Sequence, residues 1–129
     1  DAMEPSPVTL AAADPLSRAI DTLLSTPQRD FPVLDGARVI GMLDREAMLQ
    51  GLSDRGPQVP VGEVMREASP ITADQPLVSA FQAMRGRGAK AEVVVEVTGQ
   101  VAGVLTQENI GEMMMVESAQ PGWRFARRG

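Results

Sequence analysis

The sequence contains two copies of the same series of motifs. The segment Met3–Thr9 returns as Met65–Thr72, and the segment Gly41–Glu46 returns as Gly103–Glu108. The offset between the copies is 63 residues at the first motif and 62 residues at the second. A unit of about sixty residues buries its apolar face poorly when it is alone. We therefore expect the copies to pack about a pseudo-two-fold axis, with the natural ligand site in the cleft between them.

The composition excludes several classes of catalytic site. The 129 residues include no His and no Cys. The chain therefore lacks the usual general base, the commonest metal ligand and the nucleophilic thiol, which excludes zinc sites and Ser-His or Cys-His hydrolases. The acidic residues are scattered along the sequence, and no close pair is matched as acid and base. We expect no catalytic residue, no metal site and no enzyme activity in this chain.

Charge and hydropathy argue against nucleic-acid binding and against a membrane-spanning segment. The formal net charge is −5, and the single Trp and three Phe leave few rings for stacking on bases. A nucleic-acid surface needs a basic stripe or stacking aromatics, so we expect no nucleic-acid binding. No apolar run approaches the roughly twenty residues that cross a bilayer, and the first residues show no signal-peptide pattern. We expect a cytoplasmic chain that does not itself insert into a membrane.

Hydrophobic spacing predicts the order strand, helix, strand, strand, helix in each copy. In the first copy the predicted elements are a strand Val8–Leu10, a helix capped by Asp14 and ending near Thr26, strands Phe31–Leu34 and Val39–Leu43, and a helix capped by Asp44. In the second copy they are a strand Pro70–Thr72, a helix from Pro76 to the C-capping Gly88, strands Glu92–Val97 and Val101–Leu105, and a helix from Thr106 to about Met115.

A polar segment rich in Gly and Pro, Ser53–Pro60, separates the copies. We therefore divide the chain into a first repeat with the start of the linker at 1–56, a second repeat at 57–116 and a C-terminal tail at 117–129. The predicted fold class is α/β (α+β), with two β-α-β-β-α repeats packed through their sheets.

The motifs resemble those of tandem cystathionine β-synthase (CBS) domains, a pair known as a Bateman module. Each copy opens on Met followed by Ser-Pro-hydrophobic-Thr and later carries Gly-hydrophobic-hydrophobic-(Thr/Asp) before its closing helix. The resemblance covers roughly residues 1–116, and its specificity comes from the recurrence of all motifs in order. Within the family, Ser25–Asp35 resembles the cytosolic C-terminal pair of site-2-type membrane zinc metalloproteases. Their His-Glu-x-x-His segment is absent here, so the resemblance implies a regulatory part.

The resemblance implies that AMP, ADP, ATP or S-adenosylmethionine binds in the cleft as a regulatory ligand. In the family motif a Thr or Ser hydroxyl at a helix start meets phosphate, and an Asp three residues later holds the ribose. The first copy has Asp44 and Ala47 at these positions, so its site is disabled for nucleotides. The second copy has Thr106 and Asn109, and the Asn amide still accepts one hydrogen bond.

The candidate ligand residues also have ordinary structural explanations. The candidates are Thr9, Arg29, Ile71, Thr72, Lys90, Thr106 and Asn109. Thr106 and Asp44 are also good helix N-caps, a role worth about 1 kcal/mol. Arg29 and Lys90 are also typical of solvated loop charges. These alternatives stay open at the level of the sequence.

Two functions of different classes follow. The first is a regulatory CBS pair that senses an adenine nucleotide and modulates an attached membrane metalloprotease, whose membrane-embedded catalytic domain is then its partner at the cytosolic face. The second is a ligand-free structural module that dimerises a larger protein. In both cases we expect a homodimer, because the helices carrying Ala47–Leu52 and Ile110–Met115 supply more apolar surface than one module needs.

Overall fold

The computed structural model describes residues 7–119, which form two compact units that divide between Ser69 and Pro70. The N-terminal unit contains, in chain order, β1 Leu10–Ala11, α1 Leu16–Leu24, β2 Asp30–Asp35, β3 Arg38–Asp44, α2 Arg45–Arg55, a 3₁₀ helix Val61–Glu63 and β4 Arg66–Glu67. The C-terminal unit contains β5 Ile71–Thr72, α3 Leu77–Arg87, β6 Ala91–Val95, β7 Val101–Thr106 and α4 Gln107–Ala119.

The N-terminal unit is built on a four-stranded sheet in the order β1-β2-β3-β4. β1 runs parallel to β2, and the other neighbours are antiparallel. The β2–β3 hairpin turns at Gly36, whose φ of 64° lies in the left-handed region that glycine adopts without steric cost. The core of the unit consists of Leu10, Leu16, Ala19, Phe31, Val33, Leu43, Met48, Val59 and Val61.

The start of α1 differs from the prediction. Asp14 does not cap the helix, because Pro15 takes the N-cap place in an extended conformation without a side-chain cap. The first amides of the helix, those of Leu16 and Ser17, instead donate to carbonyls of the segment Pro57–Val59 at 2.8 and 2.9 Å. A distant part of the chain therefore satisfies the orphan donors that a capping side chain usually serves.

Residues 57–69 pack with the N-terminal unit. Val59 and Val61 are buried in its core, so the predicted boundary after residue 56 falls inside a packed unit. The sequence did not predict β4, which pairs with β3 where Gly41 permits close approach. A Cβ at Gly41 would meet the Met65 sulfur and would lie 2.6 Å from the Arg66 carbonyl oxygen.

The C-terminal unit repeats the design with a three-stranded sheet in the order β5-β6-β7. β5 is parallel to β6, and β6 and β7 form an antiparallel hairpin. The core of this unit consists of Ile71, Ala73, Leu77, Ala80, Met84, Val94, Leu105 and Ile110. Each unit thus has its own buried cluster, and the predicted mixed α and β class with two small sheets is confirmed.

One of the three helix ends below agrees with the prediction, and the other two helices run further than predicted. Gly88 closes α3 in the left-handed conformation, with φ of 68°, as predicted. α2 extends to Arg55, which takes three residues of the predicted linker into the helix. α4 continues to Ala119, beyond the predicted end near Met115. The rest of the predicted tail, 120–129, and the start of the first motif, 3–6, lie outside the described residues.

Candidate ligand site at the start of α2 and α4

The second helix of each unit begins directly after a hairpin strand, and the last residue of that strand caps it. The Asp44 carboxylate accepts a hydrogen bond from the Ala47 amide at 2.8 Å. The Thr106 hydroxyl accepts one from the Asn109 amide at 3.0 Å. Both side chains therefore act as N-caps, and any ligand has to use what remains of their bonding capacity.

The two caps leave different chemistry at the helix start. A hydroxyl that accepts one hydrogen bond still carries a proton that it can donate. An ionised carboxylate can only accept. Thr106 can therefore cap α4 and donate to an anion at the same time, whereas Asp44 offers an anion neither a proton nor a favourable charge.

The basic residues at the two sites occupy equivalent places. Arg29 and Lys90 are exposed and immediately precede β2 and β6. The carbonyl of Arg29 accepts from the amide of Arg45 at 3.2 Å, and the carbonyl of Lys90 accepts from the amide of Gln107 at 3.0 Å. Each basic residue is thus attached through its backbone to the first residue of the following helix.

A second carboxylate distinguishes the N-terminal site. Asp30 lies opposite Asp44 in the β2–β3 register, at a place where the C-terminal unit has Ala91 opposite Thr106. Burial, reinforced by the charge of Asp44, raises the pKa of Asp30 above its ordinary value of 3.8. The guanidinium groups of Arg66 and Arg29 act in the opposite direction on this pKa. The sequence shows no matched acid and base, and Asp30 and Asp44 come together only through the pairing of β2 and β3.

The remaining candidates lie elsewhere in the two units. Thr9 is exposed and directly precedes β1 of the N-terminal unit. Ile71 and Thr72 form β5 and pair with Val94 and Val95. That end of β6 lies roughly 13 Å from Ala91, at a rise of about 3.3 Å per residue. The Ile71 side chain is buried in the core, and Thr72 is exposed.

The structure therefore brings Lys90, Thr106 and Asn109 together at the start of α4. It does not bring Thr72 to them. A ligand that contacts both places has to extend along β6.

Two residues of these sites were missed by sequence reasoning. The Asp30–Asp44 pairing could have been found only by a count that includes the β-bulge between Val33 and Leu34, because a plain count back from the turn at Gly36 places Asp30 opposite Leu43. Gln107 gave no such signal, because its side chain bonds to a carbonyl 18 residues away, that of Ala89. Asp30 lies opposite the Asp44 cap, and the Gln107 side chain bonds to the turn that precedes β6.

Within residues 7–119, no group of three or more acidic side chains is arranged to hold a metal ion. In that same range, no helix combines the length and the apolar character that crossing a membrane requires.

Comparison with known proteins identifies the fold. Residues 1–54 match the model of the family described as CBS domain. Solved structures of CBS domain pairs share the architecture over most of the chain. The fold is that of a CBS domain pair. No curated protein matched the chain.

Three solved CBS structures illustrate the similarity. The CBS domains of a transcriptional regulator from Streptococcus pneumoniae are 19% identical, with a TM-score of 0.70 over 85% of this chain and 92% of that one. The CBS domain of a bacterial CNNM/CorC family Mg²⁺ transporter, in complex with ATP, is 17% identical, with a TM-score of 0.77 over 88% and 83%. The CBS domain pair of protein MJ0100, in complex with 5′-methylthioadenosine and S-adenosyl-L-methionine, is 18% identical, with a TM-score of 0.76 over 91% and 94%. Identities this low establish the fold and leave the ligand to be argued from the site.

Proposed function

We propose that this chain is a regulatory CBS pair that binds an adenine nucleotide, or the related S-adenosylmethionine, through its C-terminal repeat. The observation that carries the proposal is the hydroxyl cap of Thr106, which leaves a proton for an anionic ligand at a helix start. Two structures of the same fold contain such ligands, ATP in one and adenosyl compounds in the other.

In the proposed complex the phosphate of a nucleotide lies at the start of α4. The Thr106 hydroxyl donates to it, the helix dipole favours its charge, and Lys90 supplies a positive charge. The Asn109 side-chain oxygen accepts from one ribose hydroxyl. The backbone amides of Gln107 and Asn109 already donate, to Lys90 and to Thr106. The amide of Glu108, between them in the first turn of α4, is therefore the further donor that the ligand can use.

The N-terminal repeat is proposed to bind no nucleotide at its equivalent position. A phosphate there would face the charges of Asp30 and Asp44, and Ala47 offers the ribose no acceptor. The expected stoichiometry is therefore one nucleotide per chain.

The proposed role is regulation of an attached catalytic domain at the cytosolic face of a membrane. A ligand has this effect when its affinity differs between two states of the module. We propose a membrane zinc metalloprotease as the parent, on the resemblance of Ser25–Asp35. The complete reading frame tests this: hydrophobic spans with a His-Glu-x-x-His segment are expected, and the domains of a transporter would contradict it.

The ligand proposal is tested by calorimetric titration with AMP, ADP, ATP and S-adenosylmethionine. Asn109→Asp should tighten nucleotide binding about fivefold, because a carboxylate accepts from both ribose hydroxyls with charge assistance. The matched control is Ala47→Asp, the same new residue at the equivalent place beside Asp44, which should create no second site. Absence of binding by the wild type and by Asn109→Asp at millimolar ligand would refute the proposal.

The hydroxyl of Thr106 can be tested separately from the helix cap. Thr106→Ser keeps both the cap and the donor, so the affinity should stay within about twofold of the wild type. Thr106→Ala removes both and should weaken binding while it destabilises the chain by about 1 kcal/mol. Thermal unfolding measured alongside the titrations separates the two effects.

Exposed leucines favour dimerisation as a second candidate function. Leu49 and Leu52 lie one turn apart on α2, and both are exposed. We propose that a second copy covers them, so light scattering should give a dimer mass and Leu49→Glu should shift it toward the monomer. Val97→Glu is the control, because Val97 is 87% exposed in the hairpin turn between β6 and β7. A monomer mass for the wild type would remove this candidate.

A further inference from the structure

One residue attaches the turn before β6 to the start of α4 through two hydrogen bonds. The backbone amide of Gln107 donates to the carbonyl of Lys90 at 3.0 Å. Its side-chain Nε2 donates to the carbonyl of Ala89 at 2.7 Å. Because the two acceptors are consecutive, the backbone that carries Lys90 is fixed against the helix that carries Thr106 and Asn109.

The opposite side of the same turn is also fixed. Gly88 closes α3, and the amide of Ala89 donates to the carbonyl of Met84 at 2.9 Å. Arg87 and Glu92, which flank the turn, form an ion pair at 2.9 Å. The turn is therefore anchored at both ends, and Gln107 provides its attachment to the proposed ligand site.

The N-terminal repeat fixes the equivalent turn in a different way. Arg45 stands in the place of Gln107, and its backbone amide makes the corresponding bond to Arg29. The turn is held instead by the Gln28 side chain, which donates to the carbonyls of Val8 and Asp30. The side-chain bond from the first residue of the helix is thus a feature of the repeat that retains a hydroxyl cap.

We infer that Gln107 is a positioning residue, which holds Lys90 beside the start of α4 so that its charge is in place before an anionic ligand arrives. The inference rests on the proposed nucleotide site. A turn that is already ordered loses less conformational entropy on binding, so the Gln107 side chain contributes to affinity without touching the ligand. Its effect should therefore depend on Lys90.

The experiment is a double-mutant cycle on the full chain, titrated with ATP. Gln107→Ala should weaken ATP binding about three- to tenfold, the usual effect of losing one hydrogen bond. In a Lys90→Ala background the same change should weaken binding by no more than about twofold, because the positioned charge is already gone. Gln50→Ala is the control: Gln50 also donates a side-chain hydrogen bond, to Asp54 on the surface of α2, and should leave ATP affinity unchanged.

A second measurement reports on the turn itself. In the ligand-free chain, amide hydrogen exchange of the residues around Lys90 should become faster in Gln107→Ala and stay unchanged in Gln50→Ala. The melting temperature of all variants is recorded to exclude global unfolding.

The outcomes separate this inference from the proposed function. Binding by the wild type with unchanged affinity in Gln107→Ala refutes the positioning role alone. An equal loss with and without Lys90 refutes it as well, since Gln107 would then act independently of that charge. No binding of ATP or of the other adenine ligands by the wild type refutes the proposed function and removes the inference with it.

Discussion

The ion pair between Arg87 and Glu92 predicts an asymmetric response to the loss of either partner. The Glu92 side chain is fully buried, at 0% exposure, whereas the Arg87 side chain is 37% exposed. Arg87→Ala removes this guanidinium from a buried carboxylate. Glu92→Gln keeps an acceptor for Arg87 and leaves a cation that water can reach. The first change should therefore be the more destabilising.

The magnitudes follow from the burial of each partner. Removing one partner of a fully buried pair costs about 3–5 kcal/mol. Because Arg87 already contacts solvent, we expect about 2–3 kcal/mol for Arg87→Ala. We expect about 1 kcal/mol for Glu92→Gln, where an ion pair becomes a hydrogen bond from the guanidinium to a neutral amide oxygen. Urea unfolding followed by far-UV circular dichroism measures both values.

An exposed pair of the same residue types provides the control. Arg55 and Glu63 approach to 2.6 Å, but both side chains are about half-exposed. Arg55→Ala should cost less than about 1 kcal/mol, as exposed pairs usually do. The reasoning is refuted if Arg87→Ala costs no more than Arg55→Ala, or if Glu92→Gln costs as much as Arg87→Ala.

Two further predictions concern a helix contact and a pH dependence. Gly51→Ala should destabilise the chain by about 1–3 kcal/mol, because its Cβ would lie 2.7 Å from Val64. Gly86→Ala, on α3, should stabilise the chain by up to about 1 kcal/mol, because a Cβ there would meet open space. Thermal unfolding compares the two variants. The raised pKa of Asp30 makes this carboxyl bind protons more strongly in the folded chain than in the unfolded chain, so its contribution to stability falls as pH rises above 3.8. Asp44→Asn should reduce that fall in stability, as measured by urea unfolding at a series of pH values above 3.8. An unchanged slope of stability against pH would contradict the prediction.

Local chemistry predicted the hairpins and several helix ends. The turns at Gly36 and Gly99 have positive φ, and the caps at Asp44 and Thr106 form the bonds expected of their side chains. Gly88 ends α3 for the same kind of local reason. These features depend on residues within four positions of one another, so the sequence alone specifies them.

Features that depend on distant partners were not predicted. Asp14 is a good N-cap by type, but the carbonyls of the segment Pro57–Val59 already serve the first amides of α1. β4 is two residues long and carries no periodic signal. The two carboxyl groups of Asp30 and Asp44 lie opposite each other because of the register between β2 and β3. A prediction of the site from the sequence therefore found the caps and missed the neighbours that modify them.

The packing of residues 57–69 onto the N-terminal unit determines where the two halves of this protein can be separated. A chimaera joined after residue 56 would take Val59 and Val61 away from the core they fill and would expose the first amides of α1. A joint between Ser69 and Pro70 keeps those contacts. Repeats exchanged with proteins of the same fold should therefore be cut at the later joint, thirteen residues beyond the point that the linker composition suggests.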